Sequence, residues 1–270
     1  VTPPKPAGAR GYGSWFRQST GRTVLPPTTV KRVDGIPVGF IGMTLESTPE
    51  LVAQAGITDV SFRDEVATAN LAARDLRRRG VQAIVVLLHE GGLPPAGAGY
   101  DFRCSAGAAG ALSGPIVEIA KGLDPSIDQV VTGHTHQPYV CDIPDPRGAS
   151  RLVTSAQSYG RLITETNLKL DVRSRDVVRT SVTSVNRPVT RDVAKDATQT
   201  ASIAKWTGLA GPIANRTIGR ITADITRSAT RDAESSLADL IADAQLAATT
   251  ANGAQIALMN PGGVRADLTY

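Results

Sequence analysis

Apolar positions along this chain recur at a few spacings, and each spacing predicts an element. Between Phe62 and Arg79, the residues Val66, Ala69, Ala73 and Leu76 repeat every three or four positions, which is the stripe of an amphipathic helix. Gly80 stands where such a helix ends. Val81 to Leu88 is a run of eight residues with Gln82 its one polar member, as expected of a strand covered on both faces. Thr28 to Val33 and Ile36 to Gly42 flank Asp34-Gly35, a pair favoured in tight hairpin turns. A second helix is expected over Pro115 to Gly122, then a short strand over Gln129 to Val131. Helix followed by buried strand, repeated, is the order of an α/β sheet. The alternating segments Arg151 to Ser158, Arg161 to Val172 and Asp176 to Val185 read as antiparallel strands that complete the domain.

This pattern divides the chain. Residues 1–27, rich in Gly, Pro and Arg, form an unassigned lead-in, and residues 28–186 form the first domain. Residues 187–214 are a linker and connecting helix, with helical periodicity from Asp196 to about Leu209. Residues 215–270 begin a second α/β unit: a strand at Thr217 to Ile225, a helix at Glu234 to Thr250 and a strand at Gln255 to Met259. That unit stops before its pattern looks complete. A chain opening on Val1 is expected to be a mature product or a fragment.

Composition narrows the picture. With 41% apolar and 20% charged residues the chain has globular rather than disordered balance, and at 4% aromatics its core must rest on Val, Ile, Leu and Ala. The net charge is +4, yet the densest basic run, Arg74 to Arg79, closes the first helix, where cations complement the helix dipole; no nucleic-acid polymer is expected as partner. No stretch of about 18 apolar residues is present, so no membrane span is expected. Cys104 and Cys141 follow two expected strands and are either free thiols or a bridge tying two loops, the latter pointing outside the cytoplasm.

The chain has three histidines, and all follow apolar strands: His89 after Leu88, then His134 and His136 in Thr132-Gly133-His134-Thr135-His136. Imidazoles at successive strand ends can converge on one crevice, and a His-x-His loop can address two ions; neutral imidazole suits Zn²⁺, Mn²⁺, Fe or Co. Gly91, Gly92 and Gly133 permit sharp turns there.

His89-Glu90-Gly91, followed about 45 residues later by Gly-His-Thr-His, resembles the latter half of the calcineurin-like metallophosphoesterase domain. Independently, Arg231-Asp232-Ala233-Glu234-Ser235-Ser236-Leu237 and Asn260-Pro261-Gly262-Gly263-Val264-Arg265 resemble two motifs of the 5′-nucleotidase C-terminal domain. The resemblance spans Thr28 to Tyr270. It implies a four-layer α/β/β/α metallophosphoesterase sandwich, present in part, followed by the start of a substrate-binding α/β domain. It also implies two divalent metals, with His89 and His134 on one and His136 on the other. Water activated by the metals would then attack the phosphorus of a nucleotide ester in line.

The resemblance further assigns Arg231 and Arg265 to the substrate phosphate, a task suited to the forked guanidinium, and Asn260 to the base, with Gly262 and Gly263 in the same loop. Ala238, Asp239 and Pro261 depart from the usual Gly, Asn and Gly. The family's Asp-x-His, bridging Asp and catalytic His are absent, so no catalytic residue is assigned and little activity is expected of this chain alone. UDP-sugar hydrolase and 2′,3′-cyclic-nucleotide phosphodiesterase activities fit the same resemblance, as does a non-catalytic nucleotide binder. An extracytoplasmic location is implied throughout.

Overall fold

The structure, a computed structural model, describes residues 15–105, 111–228 and 234–270. Contacts divide the chain into two compact units, Val1–Asp192 and Val193–Tyr270.

Unit 1 contains, in chain order, β1 (Trp15–Arg17), β2 (Thr28–Val33), β3 (Ile36–Thr44), α1 (Thr48–Leu51), β4 (Val60–Phe62), α2 (Glu65–Arg78), β5 (Ala83–His89), β6 (Arg103–Ser105), α3 (Pro115–Gly122), β7 (Gln129–Thr132), β8 (Tyr139–Asp142), β9 (Leu152–Ser155), β10 (Leu162–Asn167) and β11 (Thr183–Pro188). Seven strands form one sheet in the order β2-β3-β5-β7-β9-β8-β6. Strands β3, β5, β7 and β9 run parallel, so their C-terminal ends share one edge, with Thr44 opposite His89 and Thr132 opposite Ser155.

Each face of this sheet is covered. Ile41, Ile84, Val86, Leu88, Val130 and Val153 pack against Ala69, Ala72, Ala73 and Leu76 of α2 and Ile116 and Ala120 of α3. Small alanines bring α2 close to the strands. On the opposite face Val38 and Ala83 meet Val177, with Phe40, Leu168, Leu170 and Val182 packed against them. The β10–β11 pair is a separate two-stranded antiparallel sheet, and the layers helix, sheet, second sheet are those of the expected sandwich.

The ends of the elements have local causes. Helix α2 begins at Glu65 because the Asp64 side chain accepts the Ala67 N–H at 2.6 Å, while Phe62, expected in the helix, pairs with Trp15 in the β1–β4 ribbon. That ribbon also corrects the unassigned lead-in, whose Trp15–Arg17 segment is a strand. Strand β5 reaches His89. The expected strand at Asp176 to Val185 is replaced by a 3₁₀ turn at Arg179–Ser181 followed by β11. Unit 1 closes at Asp192.

Beneath the sheet lies a polar cluster. Arg151, fully buried, donates to the carbonyls of Ala120, Leu123 and Asp124 at 2.8, 3.3 and 3.1 Å. Arg179 pairs with Asp145 at 2.7 Å. Asp128 accepts the Ile84 N–H at 2.8 Å, and burial pushes its carboxyl up to about 7.

Unit 2 contains α4 (Ala197–Ala214) and α5 (Ser236–Thr249). The strands expected at Thr217 to Ile225 and Gln255 to Met259 do not form; the one pairing described there is a bridge between Ile225 and Leu268. A strand needs a ladder of neighbouring backbone groups, and among the described residues these segments meet none. The buried residues of unit 2 among those described are Ser235, Leu237 and Val264.

Candidate active site

The edge formed by the C-terminal ends of β3, β5, β7 and β9 carries all three histidines. His89 is the last residue of β5, and His134 and His136 lie in the loop leaving β7. The rings of His89 and His134 meet edge to face with centroids 5.3 Å apart. His136 contacts the Tyr159 ring at 5.8 Å. Tyr159 follows β9, and Arg161 places its guanidinium 5.5 Å from the centre of the Tyr159 ring.

The two histidine loops are locked together by backbone and buried side chains. Gly133 donates its N–H to the Glu90 carbonyl at 3.2 Å, and the Thr135 hydroxyl donates to the Gly92 carbonyl at 2.8 Å. The Gly92 N–H donates to the buried Tyr139 hydroxyl, which lies 2.5 Å from the Thr132 hydroxyl, and Thr132 in turn donates to the Thr154 carbonyl. This chain of bonds crosses from the β5 loop to β9. A β-carbon at Gly91 would collide with the Gly133 carbonyl oxygen, so the loops approach as closely as they do because glycine stands there.

Cys104 and Cys141 are joined in a disulfide. They pair directly across the parallel strands β6 and β8, which follow the two histidine loops, so the bridge closes those loops at their far ends. Of the two readings open for the cysteines, this is the bridged one.

The donors suit a nitrogen-ligated divalent cation. Burial, then the neighbouring His134, hold His89 below the ordinary histidine range, with Glu90 opposing and His136 adding to the depression. A neutral imidazole is the ligating form. The residues fit part of a coordination shell. Among the described residues, three or more candidate ligand atoms converge within 4.8 Å of one another at Glu46, Asp64 and Glu65, a group that does not include the histidines. There Glu65 accepts the Glu46 N–H at 2.7 Å.

In unit 2, Arg231 lies outside the described residues. Helix α5 starts where Ser235 Oγ accepts the Ala238 N–H at 3.2 Å. Asn260 accepts the Gly262 N–H at 3.0 Å through its side chain and the Gly263 N–H at 2.9 Å through its carbonyl, which folds Pro261–Gly263 into a 3₁₀ turn. A cavity of about 560 Å³ is lined by Glu234 and Ser235 of the first motif and Val264 of the second, together with the adjoining Ala238, Asp239 and Met259. Neither Asn260 nor Arg265 lines it, and both are exposed.

Residues 215–270 match the family of the 5′-nucleotidase C-terminal domain. The chain is 30% identical over 270 residues to the endonuclease YhcR of Bacillus subtilis (strain 168), aligning 96% of this chain with 20% of that protein. It is 33% identical over 258 residues to the cell wall protein Lmo0130 of Listeria monocytogenes, aligning 90% of this chain with 31% of that one. Among solved structures, the fold matches a 5′-nucleotidase precursor from Thermus thermophilus with TM-score 0.65 and 24% identity, covering 90% of this chain and 46% of the other. The chain thus spans a fifth to under a third of these two sequence relatives. Among the described residues no helix is long and apolar enough to cross a membrane.

The histidines are legible in the sequence because each follows an apolar run. Tyr159 and Arg161 escape it: an exposed Tyr-Gly pair after a strand reads as an ordinary turn.

Proposed function

We propose that this chain contributes to a metal-dependent hydrolase of nucleotide phosphate esters acting outside the cytoplasm. The observation that carries the proposal is the convergence of His89 and His134, with ring centroids 5.3 Å apart, at the C-terminal edge of a parallel sheet. In open α/β sheets this edge is where ligands bind.

In this reading His89 and His134 hold one divalent cation and His136 a second. When bound, the cations supply Lewis acidity toward water and the phosphoryl oxygens. The chain's own part is orientation: the bonds from Gly133 to Glu90 and from Thr135 to Gly92 fix the spacing of the imidazoles before any ligand arrives. Arg231, Asn260, Gly262, Gly263 and Arg265 grip the nucleotide. In this reading these residues supply part of the centre and carry little activity alone. The disulfide, and the cell-wall relative, support an extracytoplasmic site.

The test is phosphate release from 5′-AMP with Mn²⁺, Co²⁺ or Zn²⁺, using a His134→Ala/His136→Ala variant as the blank, beside a calorimetric titration of the same metals. Metal uptake by the wild type alone, with phosphate release near the blank, is expected. Release well above the blank would show a complete centre in this chain. Equal metal uptake by both proteins would remove the histidines from the site.

A further inference from the structure

Among the described residues, five non-glycine residues have left-handed backbone: Asp34, His134, His136, Tyr159 and Arg175. Asp34 sits in the β2–β3 hairpin turn, and Arg175 in a turn where its N–H bonds the Asp171 carbonyl at 2.8 Å. The other three lie on the histidine-bearing edge of the sheet, with φ of 66°, 58° and 62° for His134, His136 and Tyr159. Residues held in this region concentrate at functional sites because a side chain there is costly and must be retained for a reason.

The histidines have such a reason in their ligand chemistry. Tyr159 has none in packing. It is 73% exposed, and Gly160, which adopts the same conformation freely, follows it immediately. Its ring touches His136 at one side and the Arg161 guanidinium at another, so most of an aromatic surface is held open to solvent beside His136. A guanidinium against the ring fixes it in place and adds positive charge to the same rim.

We propose that Tyr159 and Arg161 form a platform that receives the planar ring of a phosphate ester's organic group while the phosphate lies at the histidines. The ligand class is a phosphate monoester or diester whose ester group carries an aromatic or heteroaromatic ring. This rests on the metal-centre reading above. It adds a ring-recognising element within unit 1, independent of the nucleotide-gripping residues of unit 2.

The experiment titrates the whole chain with phenyl phosphate and, separately, with inorganic phosphate, each with Mn²⁺ present, and repeats both with Tyr159→Ala and Tyr159→Phe. Tyr159→Ala should weaken phenyl phosphate about tenfold and leave inorganic phosphate unchanged, because the lost term is stacking. Tyr159→Phe should retain wild-type binding of both. An exposed side chain is being truncated, so the fold should persist, which far-ultraviolet circular dichroism checks. Unchanged phenyl phosphate affinity in Tyr159→Ala would overturn the platform. Equal weakening of both ligands would also overturn it, since the ring would then merely orient His136. Failure of the wild type to bind inorganic phosphate at all would instead bring down the metal-centre reading, and the platform with it.

Discussion

In unit 1, Ile84, Val86 and Leu88 pack into the helix-side core while Ala83 packs with Val177 on the opposite face, so the first four residues of β5 are buried. In unit 2, Ile203, Trp206, Leu209 and Ile213 recur along α4 and remain 60–81% exposed. Both segments have apolar periodicity; only the first has partners among the described residues. Periodicity therefore reports what an element can bury, and burial depends on what lies opposite. The same contrast governs chemistry. The histidines stand on strand ends braced by buried glycines and Tyr139, whereas Asn260 and Arg265 stand on an exposed turn. Preorganisation belongs to unit 1.

The contrast is breakable because each unit has one tryptophan, Trp15 or Trp206. Trp206→Phe and Trp15→Phe backgrounds therefore report the two units separately. The largest effect is expected from Arg151→Ala, which leaves three buried carbonyls and part of the Asp145 pairing without their guanidinium; it should destabilise unit 1 by about 3–5 kcal/mol. Denaturant unfolding should show this in the Trp15 signal and leave the Trp206 signal in place. A joint shift would show that the two units unfold as one.

Removing the disulfide by Cys104→Ala/Cys141→Ala should cost unit 1 about 2–4 kcal/mol by the same measurement. No change would mean that the sheet alone holds the short strand β6.

A smaller effect, but a signed one, comes from Asp128. Its carboxyl is raised from 3.8 to about 7 in the folded chain, chiefly by burial, so the native state keeps a proton that the unfolded state releases. The resulting stability is complete below the unfolded value and is lost as pH rises through about 7. Asp145 works the other way: burial raises it, but the hydrogen bonds from Arg179, Ala149 and Arg147 and the Arg179 charge together outweigh this and hold it below the ordinary range. The difference between wild type and Asp128→Asn isolates the first effect, and unit 1 of the wild type should lose stability relative to the variant between about pH 4 and pH 7. A pH-independent difference would contradict the buried-carboxyl account.

The smallest effect is expected from Ile203→Ser on α4, within about 0.5 kcal/mol in the Trp206 signal, because the side chain is 65% exposed. A loss of several times that amount would show that α4 is covered in solution.

These contrasts explain what is legible in the sequence. The β2–β3 hairpin, α2, β5 and α3 declare themselves locally, through Asp34-Gly35, through Ala69, Ala73 and Leu76, and through uninterrupted apolar runs. Strands β1, β4, β6 and β8 have three or four residues each and exist through distant partners, which no local pattern reveals. The segments Thr217 to Ile225 and Gln255 to Met259 fail for the converse reason, having strand-like alternation and no described ladder to join. At the site, the histidine positions are readable, but the bracing by Tyr139 and Thr132 and the placing of Tyr159 beside His136 depend on strands meeting across the sheet.

The central claim is that unit 1 holds a preorganised imidazole site for divalent cations. A Co²⁺ titration of wild type and His89→Ala/His134→Ala, followed by visible absorption, tests it most directly. Saturable Co²⁺ bands in the wild type, absent from a variant that unfolds at the same denaturant concentration, are the predicted result. Identical spectra from the two proteins, or no bands from either, would contradict it.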